Sequence, residues 1–492
     1  MSPTDEENLL RKLREKLGVP EKKDARAELE RLFGAREERA EERLKDSLQR
    51  RGPQPGDEHV MTVQRLSYRG WGIGEIEHQE TFVDGPVPGD TIKLRVTEVR
   101  GEQLIGEMVT LVAPSSDRTK PRCDHFGQCS GCHLQCLSYS AQIQAKERVV
   151  RDALGAQRKT EQNAVRSLVR SPEIYKYSTH VRLMIRKTGK RCIIGYRRRF
   201  DDDILPVTTC PLLVENLDKT LPLLPEALRE LPGAGDAKEL VLITGHARED
   251  APLHLLLSCD GNGPDADAVL RSFRKTGVNL IGVIVDNGTR VAAAGDPGVT
   301  TEEGGRRGGW SRYPANHHLV RRYREEAIRL ASPTPRDAVL ELNGGEGFLG
   351  MAMSGYADNV YLADTDPFSV DLARMNRGDN QRISVQQRSL HELVMDGLAP
   401  GDMDLAILHT APDEQPPLHD DLRDLKFAKL LYVTSSPVCL ARDLTALTAN
   451  EYRLRVVQPI DTHPHTAGIT IMAFLTHRYA GASALAAAFG DL

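Results

Sequence analysis

From about residue 312 onward, short apolar strands alternate with helical stretches, and that alternation admits few folds. Val339-Leu340-Glu341-Leu342 reads as a strand running into Gly344-Gly345-Glu346-Gly347 and then a helix. Val360 to Asp364 reads as the next strand, with Leu405 to Leu408 and Leu430 to Val433 after it. Strands separated by helical patterns imply a doubly wound α/β domain, because parallel neighbours need crossovers that cover the sheet.

The rest of the chain has another rhythm. Between about 57 and 113, short alternating strands are broken by Gly70, Gly72, Gly74 and the turn Pro86-Val87-Pro88-Gly89-Asp90, which suggests a small β-barrel. Residues from about 170 to 300 read as mixed β structure: His180 to Ile185, Val241 to Ile243, Leu253 to Leu257 and Leu280 to Val285. At 492 residues the chain is too long for one core. The first 52 or so residues are dense in Glu, Lys and Arg. Thr4 with Glu7 forms a capping-box pattern, with Leu9, Leu10, Leu13 and Leu17 at helical spacing. This arm reads as solvated helices or, more sharply, as a docking arm for a protein or RNA partner; Arg51 to Gly56 then reads as a linker. No apolar run reaches the roughly 18 residues of a membrane span. The charged start lacks a secretory signal, so a cytoplasmic location is expected.

Net charge is −5, so any nucleic-acid partner must meet a local basic surface. Arg182, Arg186, Lys187, Lys190, Arg191 and the run Arg197-Arg198-Arg199 supply candidates, partly offset by Asp201-Asp202-Asp203. Gly304 to Gly309, with Arg306 and Arg307 inside it, reads as a solvated hairpin tip or a phosphate contact. The chain has eight cysteines, and four of them fall within Cys123 to Cys136. In a reducing compartment such a cluster points to a metal rather than to disulfides. Zinc held by four thiolates, with Cys136 as the fourth, is one reading of the spacing. Cys192, Cys259 and Cys439 stand in apolar surroundings and read as core residues.

These segments together resemble the RNA uracil-C5 methyltransferases over roughly residues 57 to 477. Leu66 to Gly74, Phe82-Val83 and Pro88-Gly89-Asp90 look like a TRAM domain, an RNA-binding barrel of the OB type. Cys123, Cys129 and Cys132, followed by Gln135, Tyr139, Gln142 and Lys146, are similar to the signature of the family's iron–sulfur members. That likeness implies a [4Fe-4S] cluster on Cys123, Cys129, Cys132 and a distant fourth ligand, Cys210 within Leu205 to Leu212. Glu341, Gly345, Gly347 and Asp364 look like the family's S-adenosylmethionine site, glycines for close approach and acids for ribose hydroxyls.

The same likeness exposes departures. In the family a cysteine thiolate in a Ser-Cys-Asn-Pro turn adds to C6 of uracil, and a glutamate later removes the C5 proton. Here the turn is Thr434-Ser435-Ser436-Pro437, with Ser435 at the nucleophile's place, and the base position is Thr470. The Asp-Pro-Pro-Arg motif becomes His409-Thr410-Ala411-Pro412, and the glutamine of Phe-Gln-x-Asn becomes Pro314. An alcohol is a far weaker acid than a thiol, so Ser435 lacks the anion that conjugate addition requires.

The expected organisation is an α/β multidomain chain. Residues 1–55 form the arm and linker, 56–115 the OB-like barrel, and 116–310 a mixed α+β central domain with the iron–sulfur site. Residues 311–478 form a class I methyltransferase-like domain and 479–492 a tail. The expected function is an RNA-binding iron–sulfur pseudoenzyme with rRNA or tRNA as its partner. The alternatives are an active S-adenosylmethionine-dependent methyltransferase with relocated groups, and a redox or iron sensor.

Overall fold

The computed structural model describes residues 52–155, 163–399, 401–410, 426–449 and 451–478. The arm up to residue 51, Ala411 and Pro412, and the tail from residue 479 lie outside the described residues. Among the described residues, no helix is long and apolar enough to cross a membrane.

Three sheets organise the chain. The first holds β1 (Glu58–Thr62), β2 (Arg65–Leu66), β3 (Gly72–Ile76), β4 (Gln79–Val83), β5 (Thr91–Arg100) and β6 (Gln103–Ala113), in the order β1-β5-β6-β4-β3-β2. Its inner face is a closed set of aliphatics: Met61, Val63, Ile76, Val83, Ile92, Leu94, Val96 and Leu104. The sheet curls until β3 lies against β1. A Cβ on Gly74 would sit 2.5 Å from the Met61 sulfur and 2.6 Å from the Thr62 carbonyl oxygen, so that approach requires glycine.

The second sheet holds β7 (His180–Thr188), β8 (Arg191–Arg197), β9 (Ile204–Pro206), β10 (Ala237–Thr244), β11 (Leu253–Cys259), β12 (Leu280–Asp286) and β13 (Val291–Gly295). Its order is β13-β12-β11-β10-β7-β8-β9. The runs Leu240 to Ile243 and Leu253 to Leu257 are buried throughout because both faces are covered. One face packs on the helices Leu224–Arg229 and Ala266–Lys275. From the other, Val241, Ile243, Leu256 and Ile284 meet Val299, Trp310 and Phe368, so this sheet is seated on the domain that follows.

A short hairpin, β14 (Val299–Thr300) with β15 (Arg306–Arg307), corrects one expectation. Arg307 is not on a solvated tip. It is buried, and its guanidinium donates to the Thr179 hydroxyl at 3.0 Å.

The third sheet holds β16 (Ala338–Leu342), β17 (Asn359–Asp364), β18 (Ile383–Gln387), β19 (Leu405–Thr410), β20 (Lys429–Thr434), β21 (Tyr452–Ile460) and β22 (Thr470–His477). Its order is β18-β17-β16-β19-β20-β22-β21, with the first five strands parallel and the last two antiparallel. Separate cores fill its two faces, which is the doubly wound arrangement. The chain winds away from β16 in both directions, so a crevice opens at the carboxyl ends of β16 and its neighbours.

Candidate functional site

Cys123, Cys129, Cys132 and Cys210 line one cavity of about 330 Å³, together with Tyr177, His180, Tyr196 and His463. Cys136 does not. It packs in a separate apolar cluster with Leu66, Val87 and Leu134, so it is misplaced as a fourth zinc ligand. Among the described residues, no three His, Cys, Asp or Glu groups converge closely enough to hold a single ion. The four sulfurs surround a space rather than a point.

Polar hydrogens are aimed at these sulfurs. The Gly131 amide lies 3.4 Å from the Cys129 Sγ, and the Gln135 side-chain amide 3.3 Å from the Cys132 Sγ. The Tyr196 hydroxyl reaches Cys210. Burial pushes the Cys129 and Cys132 thiols above their usual range, and Cys210 up to about 11. Such thiols stay protonated until a cation offsets the cost of burying the thiolate. The donor set therefore fits an iron–sulfur cluster, whose sulfur ligands accept hydrogen bonds of this kind.

The cysteine segment is tied to the loop between β21 and β22. Lys146, on the helix Tyr139–Ala153, is buried against Asp461 at 2.6 Å and also donates to the carbonyls of His463 (2.9 Å) and Gly468 (2.8 Å). Burial pulls the Lys146 ammonium below its usual range and Asp461 pulls it back, so the cation needs that carboxylate. One turn earlier, Gln142 accepts from the His465 amide at 2.9 Å, and its own amide meets His465 Nδ1 at 3.1 Å. The amides of His133 and Leu134 both donate to the His465 carbonyl.

That loop leads into β22, which begins at Thr470. Thr434 pairs with Ile471 across β20 and β22, so the next residues outward, Ser435 and Thr470, come opposite each other. Ser435 is exposed, and among the described residues no base is hydrogen-bonded to its hydroxyl. Ser436 behind it is buried, and its Oγ accepts from the Cys439 amide, starting the helix Pro437–Ala449. Cys439 is buried on that helix, as expected of a core residue. Thr470 shares a hydrogen bond with the Thr462 hydroxyl at 2.9 Å.

Glu341, Gly345, Gly347 and Asp364 do meet in one narrow crease. Asp364 turns both oxygens inward, accepting from the amides of Gly345 (2.8 Å) and Asp366 (3.0 Å). Glu341 accepts from the Gly350 amide at 2.8 Å and faces His409 Nε2 at 2.9 Å. Gly345 has φ +63°, and a Cβ there would lie 3.1 Å from Arg312 Cγ, so the Arg312 chain rests on the glycine turn. In this arrangement each carboxylate oxygen of Glu341 and Asp364 is engaged by a protein partner rather than left open to a ribose hydroxyl.

Comparison with known proteins bears on these features. No family model matches the chain. An uncharacterized RNA methyltransferase of Thermosynechococcus vestitus is 25% identical over 459 residues, covering 86% of this chain and 99% of that protein. The 23S rRNA (uracil(1939)-C(5))-methyltransferase of Vibrio cholerae is 25% identical over 437 residues, covering 85% and 96%. Along most of its length this chain is similar to RNA uracil-C5 methyltransferases. Its fold matches that of the Pyrococcus abyssi tRNA (uracil-54, C5)-methyltransferase, solved with S-adenosyl-L-homocysteine. The TM-score is 0.62 at 20% identity, covering 85% of this chain and 100% of the other.

The basic run expected to grip RNA is divided. Arg199 is half-buried with its side chain only 4% exposed, and its guanidinium makes a two-pronged contact with Asp84 at 2.9 and 2.5 Å, clamping the first sheet to the β8–β9 hairpin. It is a structural residue. Arg197 and Arg186 remain at the surface, facing Asp202 and Asp203. Sequence reasoning also missed the contact between Glu341 and His409. Its only signal was a histidine where the family keeps an aspartate.

Proposed function

We propose that this chain is an RNA-binding iron–sulfur protein that has lost uracil-C5 methyl transfer. The observation that carries the reading is the pair Ser435 and Thr470, facing each other across β20 and β22 where the chemistry needs a thiolate and a carboxylate. Neither hydroxyl ionises readily near neutrality, so uracil C5 would be neither activated nor relieved of its proton. The closed crease at Glu341 and Asp364 supports the same reading. The likeness to RNA methyltransferases along most of the chain supports RNA as the partner. Cys123, Cys129, Cys132 and Cys210 would hold a [4Fe-4S] cluster, which at this place stiffens the second sheet and the loop beyond it.

The deciding assay offers labelled S-adenosylmethionine and bulk tRNA and rRNA from a strain lacking 5-methyluridine. We expect incorporation at background. Turnover at enzymatic rates would establish the competing reading of an active methyltransferase, and the product's position on the base would say with which chemistry.

A further inference from the structure

The β8–β9 hairpin ends in Arg197-Arg198-Arg199-Phe200, and Phe200 is 72% exposed. A single exposed apolar ring is ordinary. This one is held out by a rigid support. The preceding residue is locked by its two contacts with Asp84, and Arg198 forms a backbone bridge with Cys129. The Arg199 guanidinium lies 5.8 Å from the Phe200 ring centre.

Asp84 leads to a second ring. Val83 pairs with Gly72 across β3 and β4, so Asp84 lies beside Trp71 and the loop from Ser67. That loop carries Tyr68, 39% exposed, with the Arg69 guanidinium 5.4 Å from its ring centre. The loop is anchored as well: a Cβ on Gly70 would lie 3.0 Å from His133 and 3.1 Å from Ala467. Ala467 stands three residues before Thr470. Among the described residues, neither Arg69 nor Arg198 has a carboxylate partner, unlike Arg197 and Arg199.

We propose that Phe200 and Tyr68 are stacking platforms for unpaired bases of an RNA strand, with Arg198 and Arg69 meeting its phosphates. The strand runs over the joint at Asp84 and His133 toward the mouth at Ser435 and Thr470. Exposed rings flanked by guanidiniums that hold only neutral partners, Arg69 on the Tyr68 hydroxyl and Arg198 on the Gln128 side chain, suit a single strand, because in a duplex the base faces are already covered by their neighbours. The inference rests on the RNA-binding reading and adds to it the form of the RNA and the residues that touch it.

The test measures binding of the full-length protein to a fluorescently labelled single-stranded 12-nucleotide RNA and to a duplex of equal length, across a salt series. Phe200→Ala and Tyr68→Ala should each weaken single-strand binding by roughly 5- to 150-fold without changing the salt slope. Phe200→Trp should retain it. Arg198→Ala and Arg69→Ala should each reduce the slope by about 0.7. If the wild type binds the strand and both alanine variants bind it equally well, the platform is wrong and the RNA reading stands. Equal affinity for the duplex, insensitive to these substitutions, also overturns the platform. If the wild type binds no RNA even at low salt, the RNA reading itself fails.

Discussion

The cysteine cavity and the crease at the carboxyl end of the third sheet are two sites on one scaffold with opposite geometries. The cavity keeps four thiols around about 330 Å³ of space, with donors aimed at three of them. In the crease every acidic oxygen has turned to a protein partner, and the mouth beside it is lined by hydroxyls. On the proposed reading, a cluster in the cavity would tie the second sheet to the loop between β21 and β22, a role that needs neither a nucleophile nor a methyl donor.

The largest effect that distinguishes the two sites is expected from the cysteines. Anaerobically purified protein should carry roughly four irons per chain, and Cys132→Ser or Cys210→Ser should bring that close to background. Both variants should melt at clearly lower temperature. Ser435→Ala, at an exposed position, should leave iron content intact and stability within about 0.5 kcal/mol. Stoichiometric zinc without sulfide would break the contrast at its strong end.

Next in size is the joint between the regions. Lys146→Met leaves Asp461 buried without its cation, which typically costs about 3–5 kcal/mol. Chemical denaturation should register the loss, and Lys146→Met combined with Asp461→Leu should recover part of it. A loss below about 1 kcal/mol would mean that water reaches the pair and that the two regions are only loosely joined.

A smaller effect concerns the crease. Calorimetry with S-adenosylmethionine should show binding no tighter than about 1 mM, roughly −4 kcal/mol. Micromolar binding would show that Asp364 and Arg312 move aside readily, and would falsify the claim that the crease is closed to this ligand.

Much of this was legible because it is written locally. The alternation of strands and helices follows hydrophobic period, and Cys123, Cys129 and Cys132 lie within ten residues. The cavity's fourth cysteine needed the surrounding Leu205 to Leu212 context, since no spacing rule reaches it. What the sequence hid were contacts between distant segments. Three consecutive arginines give no sign that Arg199 turns inward to Asp84, 115 residues earlier. Glu341 and His409 were each conspicuous, but only the parallel alignment of β16 with β19 puts them together. Lys146 and Asp461 are 315 residues apart and meet only because two domains close on each other.

The finest effect expected is a pH dependence centred on that joint. Burial depresses both His463 and His465 to about 4, from an unfolded value near 6.5. Between those values the unfolded chain takes up protons that the folded chain refuses, so stability rises with pH across the window and falls as the solution is acidified through it. Each histidine contributes at most about 1.4 kcal/mol per pH unit. Glu346 acts in the other direction: burial raises its carboxyl, so the folded form takes up a proton before the unfolded chain does. Burial also lowers His133, His180 and His254, so the net slope keeps the histidines' sign. Lowering the pH from 7 to 5 should therefore speed amide exchange in residues 461–468 ahead of the third sheet's central strands. His465→Gln, which can still hydrogen-bond Gln142, should shrink the difference in melting temperature between the two pH values. An unchanged difference would mean that His465 titrates in the fold as it does in the unfolded chain, and that the joint is wetter than its burial implies.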